Sequence, residues 1–270
     1  FGGGMNDYCN KIIATSDSNF IAIGSTESFS GDVTGHRGVN NNADLWISKI
    51  SVSGNIIWSR CLGGVADESG FSIEVTSGYG FIICGLTSSN TDDVSGLHVN
   101  GGAPFGSSDI WVVKTDSIGQ IQWQKCIGSN DEDEGVKVVQ TSDSGYIVLG
   151  HPRSYGGDIT VNYGDYDIWL AKINSVGDIQ WRKTFGSYWW DEAQSLTILD
   201  DGSCLVVGGV GGTGGNFNCT DPQKGVWVIK VDASGNEVWQ RCFGGSNNEE
   251  GYDIIKSNDG GFYVASNTAS

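Results

Sequence analysis

Five acidic residues, Asp7, Glu68, Asp133, Asp191 and Glu249, recur at one position of a repeated pattern in this 270-residue chain. Carboxylates gathered at the mouth of a repeat array could hold Ca²⁺, a hard ion that takes oxygen ligands. No other cofactor is expected. A basic residue stands eight positions before four of them, at Arg60, Lys125, Lys183 and Arg241. That constant spacing favours a plainer role, in which Arg60–Glu68, Lys125–Asp133, Lys183–Asp191 and Arg241–Glu249 are ion pairs joining adjacent units. A group needed once for chemistry need not recur in every repeat.

Residues that break the pattern are better site candidates than residues that keep it. Tyr188, Trp189 and Trp190, next to Asp191, replace the polar residues of the other copies. Adjacent tryptophans in a connection are either packing plugs or a stacking platform, and aromatic faces beside a carboxylate suit a polar ring ligand. The three histidines, His36, His98 and His151, fall in different repeats without H-x-H or H-x₃-H spacing. They are expected to be solvated loop residues rather than metal ligands. No Ser/His/Asp order and no phosphate-cradling glycine loop is present. A hydrolase or lyase would have to work through carboxylates such as Asp133 or Asp191, and would need a strongly perturbed pKa there.

The elements that must position these residues come four and a half times over. Repeats start at Phe1, Leu62, Ile127, Phe185 and Phe243, spaced by 61, 65, 58 and 58 residues. They delimit units 1–61, 62–126, 127–184, 185–242 and a partial 243–270 within one domain spanning 1–270. Each copy reads as four short strands. Strand A alternates, as in Phe71-Ser72-Ile73-Glu74-Val75. Strand B is an apolar run ending in glycine, as in Phe81-Ile82-Ile83-Cys84-Gly85, and must be covered on both faces. Strand C carries D-x-W-x-x-K, at Asp44, Asp109 and Asp167, with Gly225 replacing Asp in the fourth copy. Strand D carries Trp58, Trp123, Trp181 and Trp239 after a turn with Gly54, Gly119, Gly177 or Gly235. A glycine there suits the left-handed position of a hairpin loop.

Repeated four-stranded antiparallel units with a doubly buried strand B describe an all-β propeller, four full blades plus a half, five-bladed if the last is completed. The apolar run ending in Gly, the aromatic strand and the Gly turn before Trp resemble the kelch pattern. The chain is more similar to repeats of bacterial secreted and surface β-propeller proteins, seen here in Asp259-Gly260-Gly261-Phe262 and Gly31-Asp32-Val33-Thr34-Gly35. That resemblance covers the whole chain and implies an architecture rather than an activity. The last copy holds only strands A and B, so another segment or another chain is expected to complete it.

The net charge of −17 makes nucleic acid an unsuitable partner, because phosphate binding needs a cationic footprint. No apolar run is long enough to span a bilayer. Seven cysteines leave at least one without an intrachain partner. Cys61, Cys126 and Cys242 share a column and are expected to lie too far apart to bridge one another. Asn218-Cys219-Thr220 is a glycosylation sequon. Together these features lead to the expectation of a non-enzymatic extracellular or cell-surface propeller. It would act as a structural, filament-type interaction module with other protein chains or with itself. The alternative is a lectin-like module binding glycans around Trp189 and Trp190.

Overall fold

Among the described residues there are strands and turns and no helix. The computed structural model describes residues 1–98, 107–219, 225–244 and 249–267. The first sheet comprises β1 (Asp7–Ala14), β2 (Phe20–Thr26), β3 (Asp44–Ile50) and β4 (Ile56–Leu62). The second comprises β5 (Glu68–Val75), β6 (Phe81–Thr87), β7 (Asp109–Thr115) and β8 (Ile121–Ile127). The third comprises β9 (Asp133–Gln140), β10 (Tyr146–Pro152), β11 (Ile168–Ile173) and β12 (Ile179–Phe185). The fourth comprises β13 (Asp191–Ile198), β14 (Cys204–Val210), β15 (Val226–Val231) and β16 (Glu237–Phe243). A last pair, β17 (Gly251–Lys256) and β18 (Phe262–Ser266), stands as a two-stranded sheet. Strand order within every sheet follows the chain, and the pairings are antiparallel. The fold is therefore propeller-like and all-β, four full blades and a half, as the repeat predicts. Among the described residues no helix is long and apolar enough to cross a membrane.

Two compact units divide inside β9, at residues 1–138 and 139–270. In the first, Ile21, Ile23, Leu45, Ile47 and Ile83 meet in one apolar cluster. In the second, Leu205, Val207, Val226, Val228 and Ile254 form another, so the half blade shares a core with the fourth blade. Strands B and C are the buried ones, and Trp111, Trp169 and Trp227 are among the largest fully buried side chains. Each buried indole brings a polar N–H inside that needs an acceptor. Trp111 and Trp227 donate to Gln124 and Gln240 of the neighbouring strand, at 2.9 and 3.2 Å.

The glycine ending strand B has a reason that its one-dimensional pattern does not show. Strand A carries a bulge, between Cys9 and Lys11 in β1, Gly70 and Ser72 in β5, and Ala193 and Ser195 in β13. Gly24, Gly85 and Gly208 lie opposite those bulges, where a Cβ would fall far inside contact with the carbonyls of Tyr8, Ser69 and Glu192. The strand C–D glycines are left-handed as expected, with φ of +82° at Gly54, +77° at Gly119, +88° at Gly177 and +83° at Gly235. Gly119 also lies under the Trp58 ring of the preceding blade, and Gly235 under Trp181. Trp58 and Trp181 thus each pack one blade onto the next, and Trp181 Nε1 donates to the Ala233 carbonyl at 3.1 Å.

Cys219 and Cys242 form a disulfide with Cα atoms 5.9 Å apart, and Cys61 and Cys126 of the Cys242 column remain thiols. Thr220 of the sequon lies outside the described residues. The bridge ties the fourth-blade B–C connection to β16 across a separation of 23 residues. Closing a loop of that size in the unfolded chain is worth about 3 kcal/mol. The double variant Cys219→Ser, Cys242→Ser is expected to lose that amount in urea unfolding. A loss below ~0.5 kcal/mol would show that the loop is held by its other bonds.

Candidate functional site

Strand A and strand C both start at the same end of each sheet, so their first residues share an edge. In the first blade Asp7 pairs with Thr26 and Thr26 with Asp44; in the second Glu68 pairs with Thr87 and Thr87 with Asp109. The strand A acids turn inward. Glu68 accepts from the Gly64 amide (2.8 Å) and the Thr87 hydroxyl (2.7 Å). Asp133 accepts from the amide and hydroxyl of Ser129 (2.5 and 3.1 Å). Asp191 accepts from the Ser187 amide (2.6 Å) and hydroxyl (3.2 Å) and from the Gly211 amide (2.9 Å). Asp7 takes the Gly3 amide (2.7 Å) and the hydroxyls of Thr26 and Ser28. Each acid thereby anchors the connection that enters its own strand.

The strand C aspartates do the same for the B–C loops. Asp44 accepts from the amides of Arg37 and Gly38, and Asp109 from the amide and ring Nδ1 of His98 (3.1 and 2.8 Å). Asp167 accepts from the Tyr163 amide (2.5 Å). At the first two blade junctions the two acid sets meet across a glycine, and at the third a glycine abuts the strand C acid. A Cβ on Gly63 would strike Glu68 and reach Asp44, one on Gly128 would strike Asp133 and Asp109, and one on Gly186 would strike Asp167. Buried carboxylates placed side by side resist ionisation. Burial, reinforced by the Asp44 charge, lifts Glu68 to about 7. Burial, reinforced by Asp191, lifts Asp167 to about 7. Asp44 and Asp191 are raised too, burial being the main cause. The Oδ1 of Asp167 is buried and has no hydrogen-bond partner among the described residues.

The expected Arg60–Glu68, Lys183–Asp191 and Arg241–Glu249 ion pairs do not form. Glu68, Asp191 and Glu249 are buried, whereas Lys183 and Arg241 are exposed on the outer strand. Arg60 Nε instead donates to the Ile118 carbonyl of the next blade at 2.7 Å, and Arg241 lies over the Trp239 ring. Arg60 does join two blades, through a carbonyl rather than a carboxylate. For the fourth expected pair, Lys125 is half-buried and Asp133 is fully buried, bonded to Ser129 as above.

The recurrent ion pair is a different one. The strand C lysine of a blade reaches the aspartate of its own A–B turn, Lys49 to Asp17 (2.6 Å), Lys172 to Asp143 (3.0 Å) and Lys230 to Asp201 (3.8 Å). Both members are repeat columns, and that recurrence was the available signal. They stand some thirty residues apart, so only the sheet brings them together.

Among the described residues no three His, Cys, Asp or Glu groups gather as a metal cluster. The Ca²⁺ candidates Asp7, Glu68, Asp133 and Asp191 are directed into their own junctions, and Glu249 is buried beside Gly244. The histidines are not all solvated, contrary to expectation. The His36 side chain is buried with Nε2 3.1 Å from the Asn42 carbonyl. His151 is buried and accepts the Ala193 amide at 2.7 Å, and burial pushes it down to about 4. The raised pKa of Asp191, which a carboxylate enzyme would require, arises from burial beneath loop amides.

Tyr188, Trp189 and Trp190 are 69, 66 and 52 % exposed. The glycine-rich segment after β14 backs them: a Cβ on Gly212 would strike the Trp189 ring, and one on Gly214 the Tyr188 ring. A cleft of about 510 Å³ opens beside the indoles, lined by Trp189, Trp190, Val210, Glu249, Glu250 and Asn267. Asp191, expected beside the platform, lies beneath it with its carboxylate occupied. Glu250 supplies the acid instead, from the connection entering β17 fifty-nine residues further along the chain. The Glu250 carboxylate is held by Gln194 Nε2 (3.1 Å) and the Tyr252 hydroxyl (3.0 Å). Glu192 nearby is raised by burial and by the Glu250 charge.

No family model matches the chain. It is 26% identical over 176 residues to Regulatory protein FlaEY of Caulobacter vibrioides, a match covering 58% of this chain and 18% of that protein. The chain therefore spans less than a fifth of that curated relative. Among solved structures, a mannose phosphorylase from Leishmania mexicana shares 11% identity at a TM-score of 0.43, over 96% of this chain and 79% of the other. A Synechocystis apocarotenoid oxygenase mutant shares 12% identity at a TM-score of 0.47, over 92% and 51%. The tail fiber of Staphylococcus aureus phage P68 shares 12% identity at 0.40, over 98% and 48%.

Proposed function

We propose that the chain is a non-enzymatic interaction module that works outside the cell or on its surface and associates head to tail with further copies of itself. The observation that carries this reading is the half blade. β17 and β18 form two strands where every other sheet has four, and Tyr252, Ile255 and Tyr263 are exposed on them. β1 presents Tyr8 and Ile12 equally open to solvent. Within the chain, a strand A such as β5 packs on the preceding blade, and β17 packs on β13 and β14. The same logic seats the β1 face of one copy on the half blade of another, a heterologous contact that propagates into filaments. A disulfide supports an oxidising location, and the net charge of −17 supports solubility in the unassembled state.

Sedimentation from low to high micromolar concentration is expected to show progressive association. Tyr8→Asp with Ile12→Asp should give a monomer, as should Ile255→Asp with Tyr263→Asp. Mixing the two variants should restore a dimer and nothing larger, because each retains one good face. A wild-type chain that stays monomeric throughout would defeat the proposal.

The Trp189–Trp190 cleft favours a second reading, glycan binding, which is compatible with assembly because it uses another surface. Exposed indoles backed by a glycine segment offer flat apolar faces to the C–H surface of a sugar ring.

A further inference from the structure

We propose that the Trp189–Trp190 cleft selects a carbohydrate bearing protonated amines, an amino sugar in preference to a neutral, acetylated or acidic one. This rests on the glycan-binding reading and adds the charge of the ligand to it. The lining supplies aromatic faces and the Glu250 carboxylate, with no lysine or arginine among the described residues that form it. Trp189 and Trp190 keep one side of the cleft apolar, while Glu250 approaches from the connection entering β17.

The polar wall is built to accept hydrogen bonds. Glu250 is fixed by Gln194 and Tyr252, so its orientation is set before a ligand arrives. Asn267, the one side-chain amide among the described lining residues, is held by a bond at each end. Its Oδ1 accepts the Glu250 amide at 2.8 Å, and its Nδ2 donates to the Tyr252 hydroxyl at 3.0 Å. The fixed Glu250 carboxylate favours a ligand that brings donors. An ammonium group brings three of them, carries the charge opposite to Glu250, and is attracted to an indole face. A carboxylate-bearing sugar would face like charge, and like-charge juxtaposition excludes a ligand more effectively than weak attraction selects one.

The size of the cleft decides between a sugar and a lone cationic side chain. A volume of about 510 Å³ lies within the range that encloses a multi-ring ligand, and one lysine side chain would leave most of it empty. Two neighbouring indoles offer consecutive stacking faces for consecutive rings.

Calorimetric titration of the intact chain tests this, with a glucosamine hexamer, its fully N-acetylated form, a neutral glucose hexamer and tetralysine. The buffer is held below the amine pKa. The glucosamine hexamer is expected to bind about tenfold or more tightly than each of the others, a margin of about 1.4 kcal/mol. Trp189→Ala with Trp190→Ala should abolish binding while the far-ultraviolet circular dichroism stays unchanged. Glu250→Gln should remove the preference and leave the neutral hexamer bound as before. Equal binding of neutral or acetylated hexamers would overturn the charge inference and keep the glycan reading. Tetralysine binding as tightly as glucosamine would overturn the sugar in favour of a basic protein partner. Silence with all four ligands would overturn both readings.

Discussion

Replacing Asp167 with Asn is expected to stabilise the protein at pH 8 by about 4 kcal/mol and to change little at pH 4. Each unit of pKa difference between folded and unfolded states is worth about 1.4 kcal/mol. Asp167 rises from an ordinary 3.8 to about 7, chiefly through burial. A carboxyl with a raised folded pKa contributes stability that is fully present below its unfolded value and is lost as pH climbs through the folded one. For Asp167 that window runs from about pH 4 to about pH 7. Glu68, raised from 4.5 to about 7, loses its contribution over nearly the same range.

His151 works the other way. Its folded value is depressed from 6.5 to about 4, so its contribution is present above 6.5 and lost as pH falls through 4. Two buried acids outweigh one imidazole, and wild-type stability should fall between pH 5 and 8. The asparagine keeps an acceptor for the Tyr163 amide and places an N–H₂ where the unpartnered Oδ1 now sits. Urea unfolding of both proteins across that range checks the claim. A variant less stable than wild type at pH 8 would mean that the carboxylate is held in its charged form, and the pairing argument would fail.

The second large effect is at Gly85, where alanine is expected to cost at least about 3 kcal/mol. The reason is space, since Gly85 does not have a left-handed φ. A Cβ would fall on the Ser69 carbonyl oxygen, opposite the bulge between Gly70 and Ser72. That oxygen belongs to the backbone and cannot rotate away. Gly54 is the control, with φ +82° and nothing within 4 Å of a Cβ. Alanine there pays only for the left-handed backbone, about 1 kcal/mol. Equal midpoints for Gly85→Ala and Gly54→Ala in urea would show that β5 shifts to accept the methyl group.

Much of the site was readable only in fragments. The Tyr188-Trp189-Trp190 departure was visible because the other copies supply a background against which three aromatics stand out. Its acidic partner was misplaced, because proximity in sequence pointed to Asp191. That residue begins a strand whose first side chain turns inward to bind the Ser187 and Gly211 amides. Glu250 comes from the connection entering a different sheet. The eight-residue basic–acidic spacing was likewise real as a pattern, and wrong as a contact for Arg60–Glu68, Lys183–Asp191 and Arg241–Glu249. The basic member of each pair sits on strand D and the acid at, or just before, the start of the next strand A.

The sequence by itself determined the strand pattern, the two strands of the fifth copy and the left-handed turn glycines. Each of these depends on residues close together in the chain, through side-chain alternation and backbone sterics. Only the tertiary structure decided which charges meet. Lys172 finds Asp143, Asp167 faces the Asp191 charge and Glu250 meets the Trp189 cleft. Those partnerships are set by strand register and by the packing of one sheet on the next, and a column of like residues carries no information about which neighbour it will face.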